Sequence, residues 1–311
     1  MAEITAALVK ELREKTGVGM MDCKKALGET SGDLEAAVDW LRAKGLSKAA
    51  KKADRAAAEG LVGVAVSGNK GAIIEFNSET DFVARNEGFQ KAAAQFASTA
   101  LAAKGDHDKL LSAPGAGGTV SDQITQLIST IGENMTLRRS SYVEVSEGVV
   151  APYVHSQVAD GLGRIGVLVA LESKGKTDVL MDVAKKVAMH VAATGPLALA
   201  DSEVPAEAVA RERAVYEEQV KEDPKMVGKP ENVLKGVVEG RLRKFFEEVV
   251  LTKQKFVMAP DQTVEAWVKA AEKDAGAPIK IAAFRYFRLG EGVEKPKDDF
   301  AAEVAGMTGK S

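Results

Sequence analysis

The feature that most narrows the fold of this chain is a hydrophobic period that switches from helical to strand-like and then does so again. Before about residue 45, apolar residues recur at spacings of three and four, as on helices. From Gly60 the period drops to two. Val62, Val64 and Val66 alternate, Gly68, Asn69, Lys70 and Gly71 supply a hairpin turn, and residues 72–77 return. A long amphipathic helix follows, with Phe89, Ala93, Phe96 and Ala100 on one face. The layout then recurs. Residues 149–154 read as a strand, 159–163 as a turn and 165–171 as a second strand, before a helix with Leu180, Val183, Val187 and Val191 on one stripe. Each copy leaves an apolar sheet face that must be covered by its own helix or by the sibling copy. The expected fold class is therefore α+β.

Around these copies the pattern is helical. Three short helices open the chain. The first carries Ile4, Leu8, Val9 and Leu12 on one face, with Thr5 a candidate cap. The second, 20–29, directs Met21, Cys23, Ala26 and Leu27 inward or toward a shared groove. Asp33 caps the third, which carries Leu34, Val38 and Leu41. Lys44, Lys48, Lys51, Lys52 and Arg55 then sit among alanines, as in a solvated helical linker, or as a basic face for an acidic partner. Residues 104–118 read as a loop, 121–131 as a helix, and a strand runs through Arg138, Arg139, Tyr142 and Val145. Beyond Gly195 and Pro196, charged helices at 205–221 and 231–250 form an antiparallel hairpin. The second carries Leu234, Val238, Leu242, Phe245 and Val249 on one face, suited to pairing with itself or with another subunit. A strand at 256–258, a helix at 263–275, a strand at 279–289 and a short helix at 300–307 complete the pattern.

Composition removes several function classes. With 42 basic and 45 acidic residues, the net charge of −3 argues against dedicated nucleic-acid binding. Cys23 is the single cysteine, so no intrachain disulfide is available and a reducing compartment fits. No apolar run reaches the roughly 18 residues that a membrane span needs, and the first residues lack a signal pattern. A cytoplasmic setting is expected. The chemistry-bearing residues are sparse. His107, His155 and His190 lie far apart, none at metal-ligand spacing. Gly161, Gly163 and Gly166 resemble a dinucleotide fingerprint but fall in a hairpin, without the strand-to-helix context. Cys23 reads as a half-buried packing residue rather than a nucleophile. The expectation is no catalytic residue, no metal and no cofactor, with an enzyme the weakest reading.

Two places draw attention instead. Met20 and Met21 open a helix beside a glycine-rich turn, where methionines suit adaptable contacts, and core packing is the competing reading. Thr80, Asp81, Phe82 and Val83 lie at a strand-to-helix crossing. Local physics makes Thr80 a helix cap, suits Asp81 to the helix N-terminus, and makes Phe82 a staple on the core.

The motifs then converge on one family. TGVGMMDCKKAL at 16–27, TDFVARNEGF at 80–89, IGENMTLRR at 131–139, YVH at 153–155, RIGVLVAL at 164–171, AMHVAA at 188–193 and VEGRL at 238–242 all resemble bacterial elongation factor Ts. So do GKP at 228–230, FVM at 256–258 and DFAAEVAGM at 299–307. The matches run in order along nearly the whole chain. Separately, GDLEAAVDWL at 32–41 resembles the last helix of a ubiquitin-associated domain.

That resemblance implies a ubiquitin-associated-like bundle and linker at 1–55 and core subdomains at 56–145 and 146–290. It also implies a helical dimerisation hairpin at about 200–245 and a C-terminal module at 291–311. It implies exchange of GDP for GTP on elongation factor Tu, with Thr80, Asp81, Phe82 and Val83 reaching the GTPase's magnesium and phosphate region. Arg13, Met20, Met21 and His155 would be further contacts, and Phe300, Val304 and Met307 would dock on the GTPase domain. No small-molecule ligand or membrane is implied, and a homodimer through the hairpin stays open. Two competing readings remain: a ubiquitin-associated-type adaptor without exchange activity, and an RNA-binding factor using residues 44–55, whose binding would fall steeply with salt.

Overall fold

In the computed structural model, which describes residues 4–16, 18–50, 52–115 and 118–293, the two sequence repeats become two antiparallel sheets stacked face to face. Helices α1 (Ala6–Thr16), α2 (Met20–Glu29) and α3 (Leu34–Ala43) close on Leu12, Cys23, Ala26, Leu27 and Leu41, all fully buried. The Asp33 side chain caps α3, and Thr5 accepts from the Leu8 N–H at the start of α1. Helix α4 (Leu46–Ala50) packs against the later helix of the first repeat, so the expected helical linker is anchored to the core there, while Lys44 and Arg55 stay exposed. Lys52 donates to the Gly132 carbonyl, and Arg55 pairs with Glu79 at 3.4 Å.

In the first repeat, β1 (Glu59–Ser67) turns at Gly68 into β2 (Lys70–Ser78), in register from Glu59 opposite Ser78 to Ser67 opposite Lys70. Helix α5 (Glu87–Ala102) follows. The expected loop at 104–118 instead holds α6 (His107–Ser112), capped by Asp106, and a tiny hairpin of β3 (Pro114–Gly115) and β4 (Gly118–Thr119). Asp106 accepting from the Lys109 N–H makes that short turn local, and Leu110 anchors it in the core. Helix α7 (Val120–Ile131) starts in a Thr119–Asp122 capping box and leads to β5 (Met135–Glu144), which pairs with β2.

The second repeat follows the same path. Strand β6 (Gly148–His155) passes through the short β7 (Leu162–Gly163) into β8 (Ile165–Glu172), and then α8 (Thr177–Thr194). Helices α9 (Ala206–Glu222) and α10 (Glu231–Val249) form the antiparallel hairpin. The pair β9 (Lys255–Phe256) and β10 (Ala259–Thr263), helix α11 (Val264–Ala275) and strand β11 (Lys280–Arg288) complete it. The expected strand at 256–258 stops at Phe256, and Val257 and Met258 form the exposed tip of the β9–β10 turn. The strand orders β5-β2-β1-β7 and β11-β8-β6 show that each repeat is larger than a hairpin and one helix. In both, a third strand comes back beside the second strand of the hairpin.

The result is four layers: α5 and α7, the first sheet, the second sheet, then α8 and α11. Side-chain alternation assigns the faces. In β2, Ile74 and Phe76 face α5, while Ile73 faces the other sheet. In β8, Val167, Val169 and Leu171 face α8, while Leu168 and Ala170 face the first sheet. Strands buried on both faces carry near-continuous apolar runs, which is why residues 165–171 lack polar breaks.

The hairpin's apolar stripe is spent internally. Val238, Leu242 and Phe245 are buried against α9 residues such as Val209 and Tyr216 and the segment leading into it. No described helix is long and apolar enough to cross a membrane.

The two sheets approach through paired notches. A Cβ built on Gly166 of β8 would lie 2.6 Å from Val62 and 3.0 Å from Ile73, and one on Gly71 of β2 would lie 2.7 Å from Val150. Both glycines are the second residue of the second hairpin strand, so each sheet admits the other's side chains at the equivalent point. Gly166→Val is therefore expected to lower stability by roughly 1–3 kcal/mol or more through overpacking. Gly236→Ala, on an exposed stretch of α10 with nothing within 4 Å of its Cβ, is expected to raise it by about 0.5–1 kcal/mol. Urea unfolding midpoints of the two variants, moving in opposite directions, check both.

Candidate functional site

Strand β2 delivers the chain to a short arch before α5 begins. The Ser78 hydroxyl donates to the Thr80 carbonyl at 2.9 Å. The Thr80 N–H and hydroxyl both donate to the Glu133 carboxylate, at 2.9 and 2.6 Å. Three residues on, Val83 is 4% exposed and sits in the same core cluster as Phe76 and Phe89. A single 3-10 turn, Val83–Arg85, carries the chain from there to Asn86. Pinned at both ends, the arch lifts Asp81 and Phe82 into solvent, and Phe82 is 74% exposed.

This geometry overturns two local readings. Thr80 does not cap the helix; Asn86 does, accepting from the Phe89 N–H at 3.0 Å. The 3-10 turn delays the helix start, which moves the cap six residues downstream of the expected one. Phe82 is not a core staple, because Val83 fills that position and the turn points Phe82 away.

Behind the arch, two loops exchange carboxylates. Glu133 takes Thr80 of the 79–80 segment, and Glu79 takes the Asn134 N–H at 2.6 Å. Asn134 in turn donates from its amide to the carbonyls of Ala53 and Arg55, at 3.3 and 2.7 Å. Sequence reading passed over Glu79, Glu133 and Asn134, since the bonds from Thr80 to Glu133 and from Asn134 to Glu79 span more than fifty positions. It also passed over Glu75, which is fully buried and bonded to Arg138 and Arg139. A carboxylate inside the apolar run of β2 was the available signal for that residue.

The other candidate residues lie elsewhere. Arg13 is exposed on α1, close enough to Cys23 to act electrostatically on its thiol. Met20 and Met21 are 46% and 77% exposed, so both point outward and neither packs in the bundle. Cys23 is fully buried rather than half-buried, and desolvation first of all raises its thiol pKa. His155 is exposed at the end of β6, with Tyr153 Oη 3.3 Å from its Nδ1. No hydrogen bond or ion pair among the described residues joins Arg13, Met20, Met21 or His155 to the arch. Phe300, Val304 and Met307 lie outside the described residues. Among the described residues, no three His, Cys, Asp or Glu side chains gather as a metal-binding group.

The sequence is similar to known proteins along its full length. A family model described as elongation factor TS matches residues 79–291, more than half the chain. A protein named elongation factor Ts from Parvibaculum lavamentivorans is 59% identical over 307 residues, covering 98% of both chains. One of the same name from Caulobacter vibrioides is 58% identical over 316 residues, covering 100% of both. Another, from Rhizobium meliloti, is 57% identical over 304 residues, covering 97% of this chain and 98% of its own.

One histidine has a structural task. His190 on α8 is fully buried, its Nδ1 accepting from the Val257 N–H at 3.2 Å while Nε2 faces Gln254 Oε1 at 2.9 Å. That pairing makes it the neutral tautomer with the proton on Nε2, and desolvation lowers its pKa below the ordinary 6.5. Above pH 6.5 both folded and unfolded chains keep it neutral. As pH falls below 6.5, the unfolded chain takes a proton that the folded chain refuses, and stability drops by at most about 1.4 kcal/mol per pH unit until the folded pKa is reached. The destabilisation caused by His190→Ala is therefore expected to be larger at pH 7.5 than at pH 5.5. Denaturant titrations of both proteins at the two pH values measure the difference, and an equal penalty at both would exclude a neutral His190.

Proposed function

The chain belongs to the elongation factor Ts family of translation elongation factors, and from that premise we propose that it binds elongation factor Tu in its GDP state and speeds GDP release. The observation that carries the reading is Phe82. A large aromatic side chain left 74% exposed on an arch pinned by Thr80 and Val83 is costly to display and ready to insert. Asp81 beside it supplies a negative charge at the same edge.

The mechanism needs no bond to be made or broken, so this reading assigns no catalytic residue. In such GTPases, Mg²⁺ offsets phosphate charge and a phosphate loop donates hydrogen bonds to the nucleotide. An inserted Phe82 shifts that loop, and the Asp81 carboxylate competes for the surroundings of the metal. GDP then loses affinity. By linkage, whatever free energy the factor uses against GDP, GDP uses equally against the factor. Met20, Met21 and Arg13 supply a second contact on the bundle, His155 a third on the second repeat, and Phe300, Val304 and Met307 a last one. Such a partner places the protein in the cytoplasm. Self-association through the hairpin would have to use outward residues such as Val215, Val227 and Val233, because the inner stripe is already buried.

Phe82→Ala is expected to leave the unfolding midpoint unchanged, since its side chain fills no core space. Its maximal rate of GDP release should fall roughly tenfold or more, while affinity for nucleotide-free elongation factor Tu changes less than about threefold. Met21→Glu should do the opposite, raising the half-saturating concentration about tenfold at an unchanged maximal rate. Stopped-flow release of a fluorescent GDP at several Mg²⁺ concentrations separates the two patterns. A Phe82→Ala protein with full exchange activity removes the arch from the mechanism.

A further inference from the structure

The arch is held from behind by residues that this reading has not yet used. Glu133 is half-buried in the turn between α7 and β5, and one carboxylate takes both donors of Thr80. Charge-assisted bonds of this kind are stronger than neutral ones, and the two together fix position and orientation. Glu79, one residue before Thr80, reaches the opposite way to the Asn134 N–H. The two segments therefore exchange carboxylates across the gap between β2 and β5, just past the final pair, Ser78 opposite Met135.

Two neighbouring carboxylates repel each other unless cations offset them. One such cation, Arg55, comes from the segment that joins the helical bundle to the core. Arg55 pairs with Glu79 at 3.4 Å, and Lys52 is bound to the Gly132 carbonyl, directly before Glu133. Asn134 fastens the backbone of that same segment at Ala53 and Arg55. Between Thr80 and Val83 the side chains of Asp81 and Phe82 face solvent, and the Phe82 carbonyl accepts from the Arg85 N–H at 3.1 Å. The clamp thus sets where Phe82 stands while touching neither Phe82 nor solvent-facing space beyond the arch.

We propose that Glu133 is a positioning residue for the Phe82 arch, acting on the partner's nucleotide site through Thr80, with Glu79 and Arg55 bracing it from the bundle side. The proposal rests on the exchange reading given above. Without the clamp the arch samples many orientations, and the ordering cost is met at the moment of insertion, which slows the step that expels GDP. Docking through the bundle and the second repeat is left largely intact, so the rate and the half-saturating concentration respond differently.

The test uses full-length Glu133→Ala and Glu133→Gln. In the free proteins, amide hydrogen exchange at Thr80 is expected to be protected in the wild type and at least about tenfold faster in Glu133→Ala. In stopped-flow GDP release from elongation factor Tu, Glu133→Ala should lower the maximal rate about tenfold with less than a threefold change in half-saturating concentration. Glu133→Gln should recover part of the loss, because its amide oxygen still accepts one bond. Arg55→Ala should fall in the same direction by a smaller factor. If Glu133→Ala lowers the unfolding midpoint of the whole chain, the graded order of Gln and Arg55→Ala relative to wild type decides instead. Full maximal rate in a folded Glu133→Ala protein overturns the proposal, as does an unprotected Thr80 amide in the wild type. A wild type that fails to accelerate GDP release overturns the exchange reading instead, and the Thr80 exchange data still report on the clamp.

Discussion

Everything else in the core depends on how closely the two sheets approach. Each sheet is already covered on its outer face by helices, so the inner faces meet side chain to side chain through Val62, Ile73, Val150 and Leu168. Gly71 and Gly166 open equivalent gaps in the two sheets, and the branched side chains opposite fill them. A close-packed interior leaves no spare volume for a Cβ there. The two repeats are therefore halves of one core, and neither could bury its inner face alone.

At the rim of that interface the packing gives way to charge. Glu75 follows Ile74 in β2 and points between the sheets, where it is fully buried. The β2–β5 register shifts between Glu75 and Phe76, which lets both Arg138 and Arg139 reach its carboxylate, at 3.1 and 2.5 Å. Arg139 also stacks over Phe287 of β11, 4.2 Å from the ring centre, and the Gly290 N–H donates to Glu75. One buried carboxylate thus joins β2, β5 and the end of β11. A buried charge with fewer partners would be costly, and here each oxygen of the carboxylate is bonded.

The arch is placed by the same strands. Strand β2 carries Glu75 into the interface and, five residues later, Thr80 into the clamp, while β5 carries Arg138 and Arg139 and begins just after Glu133 and Asn134. A rigid pair of strands therefore holds the arch at one end, and the Val83 side chain holds it at the other. An exposed aromatic group on such a frame loses little freedom when a partner closes over it, which is what an exchange factor of the proposed kind requires.

By itself the sequence determined the elements: the switch in hydrophobic period located both repeats, Asp33 and the Gly195–Pro196 pair marked helix ends, and the stripe of the hairpin gave its inner face. These are local signals, set by side-chain spacing and capping chemistry within a few residues. The same local physics misread the arch. It favoured Thr80 as a cap and Phe82 as a staple, and it took residues 104–118 for a loop. Resemblance to a family had already pointed to Phe82. The exposure of its side chain, the clamp by Glu133 and the pairing of Arg55 with Glu79 were decided by the tertiary structure. Each depends on groups at least twenty-four positions apart or on a competition for core space that Val83 won. Spacing along the chain carries no record of such contacts, because they arise when separate elements are brought together by the packing of the two sheets.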